Sequence, residues 1–361
     1  MAEITASMVK ELREATGAGM MDCKKALAEA DGNFDAAVEI LKKSGAAKVE
    51  KKASRIAAEG ITRVAVSGNT AVVVEVNSET DFVAKNEVFQ EFVQEVADKA
   101  LTVSIEAAGD GEDVCAILDM KSSLEEKTLK IGEKLSVRRF KKVTGDTVAS
   151  YIHGGGRIGV VVAGEGANDD AAKEALTNIA MQIAAMNPTY ISRNEISEDE
   201  LAKIKEITID AALNDPASLP KPILMDLIEK AKASKWTQNA IEVFEANKAN
   251  MNFVFNHLAK AEGTPVEDLK ALAMEAKDDI VANKIFSGLV EGRISKQLKE
   301  ICLLDQVYVK AEDGKQTVAQ YLASVNKNLV LTKMVRFEVG EGMEKKEENF
   351  AEEVAKQMAG N

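Results

Sequence analysis

An α+β fold follows from three features of the sequence. Apolar residues recur at helical spacing through the first 45 positions. The period changes to two from position 59, and residues 197–300 return to an almost wholly helical pattern. Length agrees, since 361 residues exceed one ordinary domain. At 46% apolar residues the chain can bury a real core.

In order, residues 4–45 read as three short helices. Ile4, Met8, Val9 and Leu12 form the first stripe, which Gly17-Ala18-Gly19 breaks. Cys23, Ala26, Leu27 and Ala30 form the second. Phe34, Ala37, Val38 and Leu41 form the third, ended by Gly45 at a C′ position, with a charged linker over 46–55. EGITRVAV, a Ser67-Gly68-Asn69 turn and TAVVVEVN predict a β-hairpin. Helices over 86–101 and 121–131 and a strand at 136–143 complete a unit ending near Gly145. TVASYIH, IGVVVAG and a helix over 169–186 repeat the order strand, strand, helix, which suggests an internal duplication. Ser197 to Glu200 has the pattern of a capping box, and Thr264 to Glu267 repeats it with proline. Ile241, Phe244, Met251, Phe255 and Leu258 keep a 3–4 spacing that predicts an antiparallel helical protrusion. Strands are expected at 305–310 and 328–339 around a helix at 317–325, and a last helix at 346–358.

Several chemistries are excluded. A net charge of -13 argues against nucleic-acid binding, which rests on clustered Lys and Arg. No apolar run approaches the roughly 18–20 residues that span a bilayer. The first residues read as an amphipathic helix rather than a signal peptide, so a cytoplasmic protein is expected. Cys23, Cys115 and Cys302 are far apart and read as buried thiols. His153 with Gly154, Gly155, Gly156 and Gly159 satisfies G-x-G-x-x-G, but the run that follows is strand, where a dinucleotide site needs a helix. An esterase would need a G-x-S-x-G elbow, and the chain has none; a hairpin turn is the simpler reading. There is no phosphate-binding P-loop, and His257 has no ligand partner nearby in sequence. In EVNSETDFVAKN (75–86) a strand passes into a helix. From the residues alone, Phe82 reads either as core or as an anchor presented to another protein.

ELREATGAGMMDCKKALAEADGNFDAAVEILKKSGA (11–46) and EVNSETDFVAKN (75–86) resemble the two signatures of the bacterial elongation factor Ts family. LKIGEKLSVRR (129–139), YIHGGGRIGVVV (151–162), VEGRISK (290–296) and RFEVGEGMEKKEENFAEEVAKQM (336–358) agree in the same order. The similarity covers most of the chain outside roughly 210–285, where a helical segment is added to the family pattern. Three glycines follow His153 where the family has fewer. The resemblance implies a three-helix module like a ubiquitin-associated domain (1–52) and two α+β core subdomains (56–145, and 146–196 with 301–343). A coiled-coil-like helical protrusion (197–300) and a C-terminal helix (344–361) complete the layout.

It further implies a translation factor without chemistry of its own. Such a protein binds elongation factor Tu with GDP and promotes GDP release by disturbing the Mg²⁺ site of that GTPase. No cofactor, nucleic acid or membrane is expected, and the protrusion is where a homodimer would form. Thr80, Asp81, Phe82 and Val83 match the core insertion, Phe82 being the wedge. Ile131, Gly132 and His153 match further contacts of the core. Arg13, Met20 and Met21 match contacts of the first module; neighbours on a helix face about 100° apart, so a core position for one of the two methionines is the alternative. Phe350, Val354 and Met358 form the stripe of the last helix, which docks on the partner or packs on its own body. The rival reading is an adaptor that uses its helical module for protein binding and has no exchange activity.

Overall fold

The helical stripes, alternating strands and turns are realised in a computed structural model that describes residues 4–16, 18–260 and 265–344, with the backbone alone for 46–50. The chain divides into two compact units, one of residues 1–187 and 307–361, the other Pro188–Gln306.

The first unit begins with α1 (Ala6–Thr16), α2 (Met20–Glu29) and α3 (Phe34–Lys52). Leu12, Cys23, Ala26, Leu27 and Ala37 form their small common core. The third helix is longer than its stripe predicts and runs through the expected linker. Gly45 is therefore no C′ residue. A Cβ there would lie 2.6 Å from Leu129 Cδ1, so the glycine lets α3 lie close against a helix of the core.

β1 (Glu59–Ser67) and β2 (Thr70–Ser78) form the predicted hairpin, with Ser67 opposite Thr70 across Gly68-Asn69. Then follow α4 (Asp81–Ala84), α5 (Glu87–Thr102), β3 (Ala107–Ala108), α6 (Val114–Ile117), α7 (Lys121–Ile131) and β4 (Ser136–Thr144). The first sheet has the order β1-β2-β4-β3, all antiparallel. β2 reads TAVVVEVNS because both of its faces are buried. Val72, Val74 and Val76 pack on Phe89, Phe92, Val93 and Val96 of α5. Ala71 and Val73 face a second sheet.

That sheet is built from β5 (Thr147–His153), β6 (Ile158–Glu165) and, after α8 (Asp170–Met186) and the whole second unit, a returning strand, with β6 in the middle. α8 covers its outer face with Leu176, Ile179, Ala180 and Ile183.

The second unit contains α9 (Glu198–Leu213), α10 (Lys221–Ser234), α11 (Gln238–Asn247), α12 (Met251–Leu258), α13 (Pro265–Glu275), α14 (Lys277–Val281) and α15 (Lys284–Ile301). Its ends are tied together: Thr189 and Tyr190 donate their amides to Ile301 O at 2.9 and 3.1 Å, and Leu303 N donates to Tyr190 O at 2.9 Å. The expected coiled-coil seam is not formed. Ile241 and Phe244 lie on α11, whereas Met251, Phe255 and Leu258 lie on α12, beyond a break capped by Asn250. Phe244, Val254 and Leu258 instead join Leu213, Leu227, Leu269 and Phe286 in one multi-helix core. Ser197 caps α9 through Glu200 N, but the carboxylate of Glu200 takes the Tyr190 hydroxyl rather than closing a capping box. Thr264 lies outside the described residues.

After the second unit, α16 (Val318–Val325) and β7 (Val330–Glu338) complete the second sheet. Residues 305–310 form no strand; Val307 makes a single bridge to Thr317. β1-β2-α5-β4 and β5-β6-α8-β7 follow the same order, with the second strand between the first and the last in each sheet. The last helix expected at 346–358 lies outside the described residues.

Candidate functional site

Two N-caps six residues apart shape the passage from β2 to α5. Val83 N donates to Thr80 Oγ1 at 3.4 Å, and Val88 N to Asn86 Oδ1 at 2.9 Å. Only the single turn α4 fits between them. Successive residues on a turn point about 100° apart, so the caps decide what is offered outward. Phe82 is 80% exposed, while Val83, expected among the contact residues, is buried against Phe89 and its neighbours in the first core. Val83 thus anchors the turn from beneath. Asp81 Oδ2 accepts from Lys85 Nζ at 2.8 Å, which holds the Asp81 carboxyl below the usual carboxylate range. The same ammonium lies 6.0 Å from the centre of the Phe82 ring, leaving its outer surface free.

The turn is fastened to the end of α7. Gly132 closes that helix in the left-handed conformation at φ 88°, and Glu133 follows. Thr80 donates to Glu133 twice, from its amide at 3.0 Å and its hydroxyl at 2.8 Å. Lys134 N donates to Glu79 Oε1 at 2.6 Å. These bonds bring Asp81 and Phe82 beside Ile131, which is half-buried, and Gly132, which is exposed. Nothing in the sequence marked Glu79, Glu133 or Lys134, because the bonds between the two turns join residues 53 and 55 positions apart.

In the first module Arg13 is exposed, and so are both Met20 (59%) and Met21 (66%). Neither methionine is therefore a core residue, which closes the alternative left open for one of them. Gly19, extended at φ -62° and ψ 144°, starts α2 so that Cys23, Ala26 and Leu27 fill the inner face.

His153 ends β5 and is exposed, its Nδ1 3.2 Å from the Tyr151 hydroxyl. The glycines after it form one 3₁₀ turn, Gly154–Gly156, that closes the hairpin, and β6 follows where a dinucleotide site needs an α-helix. Gly156 O accepts from Thr62 Oγ1 at 2.8 Å, and a Cβ on Gly156 would stand 2.9 Å from Ile61 Cβ. Ile61 and Thr62 pair with Val76 and Glu75 near the exit of β2. The glycines therefore dock the His153 turn at the same end of the two-sheet stack as the Phe82 turn. Phe350, Val354 and Met358 lie outside the described residues.

Among the described residues no group of three or more His, Cys, Asp or Glu could hold a metal ion, and no helix is long and apolar enough to cross a membrane. The family described as Elongation factor TS matches residues 79–341. Elongation factor Ts of Clostridioides difficile (strain 630) is 42% identical over 372 aligned residues, which cover 99% of this chain and 100% of that one.

Proposed function

The chain belongs to the elongation factor TS family of translation elongation factors, and from that membership we propose that it acts by binding, as a guanine-nucleotide exchange factor for elongation factor Tu. The observation that carries the proposal is Phe82, an aromatic ring 80% exposed on a turn fixed by Thr80, Val83 and Glu133. A large apolar side chain held rigid in water is suited to burial in a partner, because little ordering is left to be done on binding.

In this mechanism Phe82 enters an apolar pocket of the GTPase and displaces the helix that supports its Mg²⁺ site. Removal of that ion takes away the largest positive charge facing the diphosphate, and GDP leaves faster. Asp81, Ile131, Gly132 and His153 extend the contact along the same end of the stack, while Arg13, Met20 and Met21 make a second contact. Methionine suits an irregular partner surface. Phe350, Val354 and Met358 supply a third. Coupling is reciprocal, so the factor by which this protein weakens GDP binding is the factor by which GDP weakens its own. Each tenfold effect requires about 1.4 kcal/mol of differential contact.

The test is release of a fluorescent GDP from purified elongation factor Tu. Faster release on adding this protein is expected; an unchanged rate, with the complex formed, would leave an adaptor instead.

A further inference from the structure

The Phe82 turn and the three-helix module are tied to the same three residues, Gly132 to Lys134. Lys134 Nζ donates to Ala53 O and Arg55 O, both at 2.7 Å, in the segment that leaves α3. Lys134 N donates to Glu79, and Arg55 Nη1 returns to the same carboxylate at 3.1 and 3.3 Å, closing a ring of Arg55, Glu79 and Lys134. Lys52 Nζ donates to Gly132 O, and Glu133 holds Thr80. Near the C-terminus of α3 free carbonyls collect negative partial charge, so an ammonium beside Ala53 is favourable there. Close by, the backbone of Gly45 lies against the side chain of Leu129, where a Cβ would stand 2.6 Å from Cδ1.

We infer that the turn Gly132–Lys134 is a positioning element, with Lys134 its central residue, that fixes the three-helix module relative to the Phe82 turn. Two contact surfaces on a flexible chain bind a partner one after the other, and the second gains only the effective concentration the linker provides. Held in one frame, they engage together and the ordering loss is removed in advance. Lys134 acts through the main-chain carbonyls of Ala53 and Arg55. The inference rests on the exchange reading for its consequence, but the fixing itself is a property of the free protein.

The experiment has two arms. In the first, spin labels are attached to Glu14→Cys and Glu91→Cys, both at exposed positions; the three native cysteines are buried and stay unlabelled. The distance distribution is narrow in the parent and broadens at least twofold in Lys134→Met, while Lys134→Arg keeps it narrow. An unbroadened distribution in Lys134→Met overturns the inference whatever the GTPase does. In the second arm, GDP release is followed against factor concentration. Lys134→Met raises the half-saturating concentration three- to tenfold and changes the maximal rate less than twofold. The loss caused by Met20→Ala with Met21→Ala shrinks in the Lys134→Met background. Strict additivity of the two changes would overturn the positioning role. If the parent itself does not accelerate release, the exchange reading fails and the first arm still decides the inference.

Discussion

Replacing Phe82 by alanine separates the role of this ring in the fold from its role in the partner. Within its own chain the ring is 80% exposed, with the Lys85 ammonium 6.0 Å from its centre. Truncation should therefore change the stability of this protein by no more than about 0.5 kcal/mol, the range of surface substitutions. Against a partner the arithmetic differs. Full burial of a phenylalanine stabilises by about 1.5–3 kcal/mol. Four-fifths of the ring being available, a loss of about 1.2–2.4 kcal/mol, roughly 7- to 60-fold in acceleration of release, is expected. The assay is stopped-flow release of fluorescent GDP, with thermal unfolding of the free variant as control. Equal acceleration by the variant at equal concentrations, with an unshifted midpoint, would refute the wedge. A large drop in the midpoint would refute the claim that the ring plays no part in the fold.

Glu75 is fully buried and accepts from Arg138 at 3.2 Å, Arg139 at 2.6 Å, Asn77 at 3.0 Å and the amide of Gly340 at 2.9 Å. Glu75→Ala removes the buried acceptor of both arginines and leaves them the more exposed carboxylates of Asp110 and Glu341, at 3.2 and 3.3 Å; it should destabilise the first unit by about 3 kcal/mol, the lower end for a broken buried pair. Calorimetry would show this, and a loss under about 1 kcal/mol would mean that Asp110 and Glu341 suffice for the arginines. Burial, with the Asp113 carboxylate second, pushes the Cys115 thiol up to about 11. The folded state therefore keeps a proton that the unfolded chain loses near the ordinary thiol range, so this group lowers stability as pH rises from about 9 to 11. Cys115→Ser should flatten the decline in that window, and denaturant melts at pH 8, 9.5 and 11 would test it.

The strands were legible because each faces two different environments, and alternation or a continuous apolar run reports this directly. β2 is the clearest case, since its run of valines fits only a strand covered on both sides. The capped turns were partly legible, and Thr80 and Asn86 are residues that start helices. Two errors have one cause. The spacing of Ile241 to Leu258 is satisfied by any helix with a buried side, so it cannot separate a long seam from two short helices facing one core. No glycine or proline marks the break, which falls at Asn250. Val307-Tyr308-Val309 alternates like a strand, yet the side-chain amide of Gln182 takes the place of a neighbouring strand. It donates to Val307 O at 3.1 Å and accepts from Val309 N at 2.8 Å. Such a substitution is set by tertiary position and leaves no periodic trace.

The residues proposed to meet the partner share a local construction. Phe82 and Met20–Met21 each sit in the first turn of a helix, where the entry into the helix fixes the direction of the side chains. In both places the following residues turn inward: Val83 in one, Cys23 in the other. Exposure of a large apolar group is thus secured by burial of its near neighbour, and the fold need not be strained to present it. That arrangement suits an exchange factor in a specific way. A partner that must be held only until its nucleotide leaves is better served by a few rigid anchors than by a broad apolar face, because each anchor can be exchanged for GDP contacts at small reorganisation. On the exchange reading, stiffening the anchors further would tighten binding to the empty GTPase and raise the nucleotide concentration needed to displace this protein.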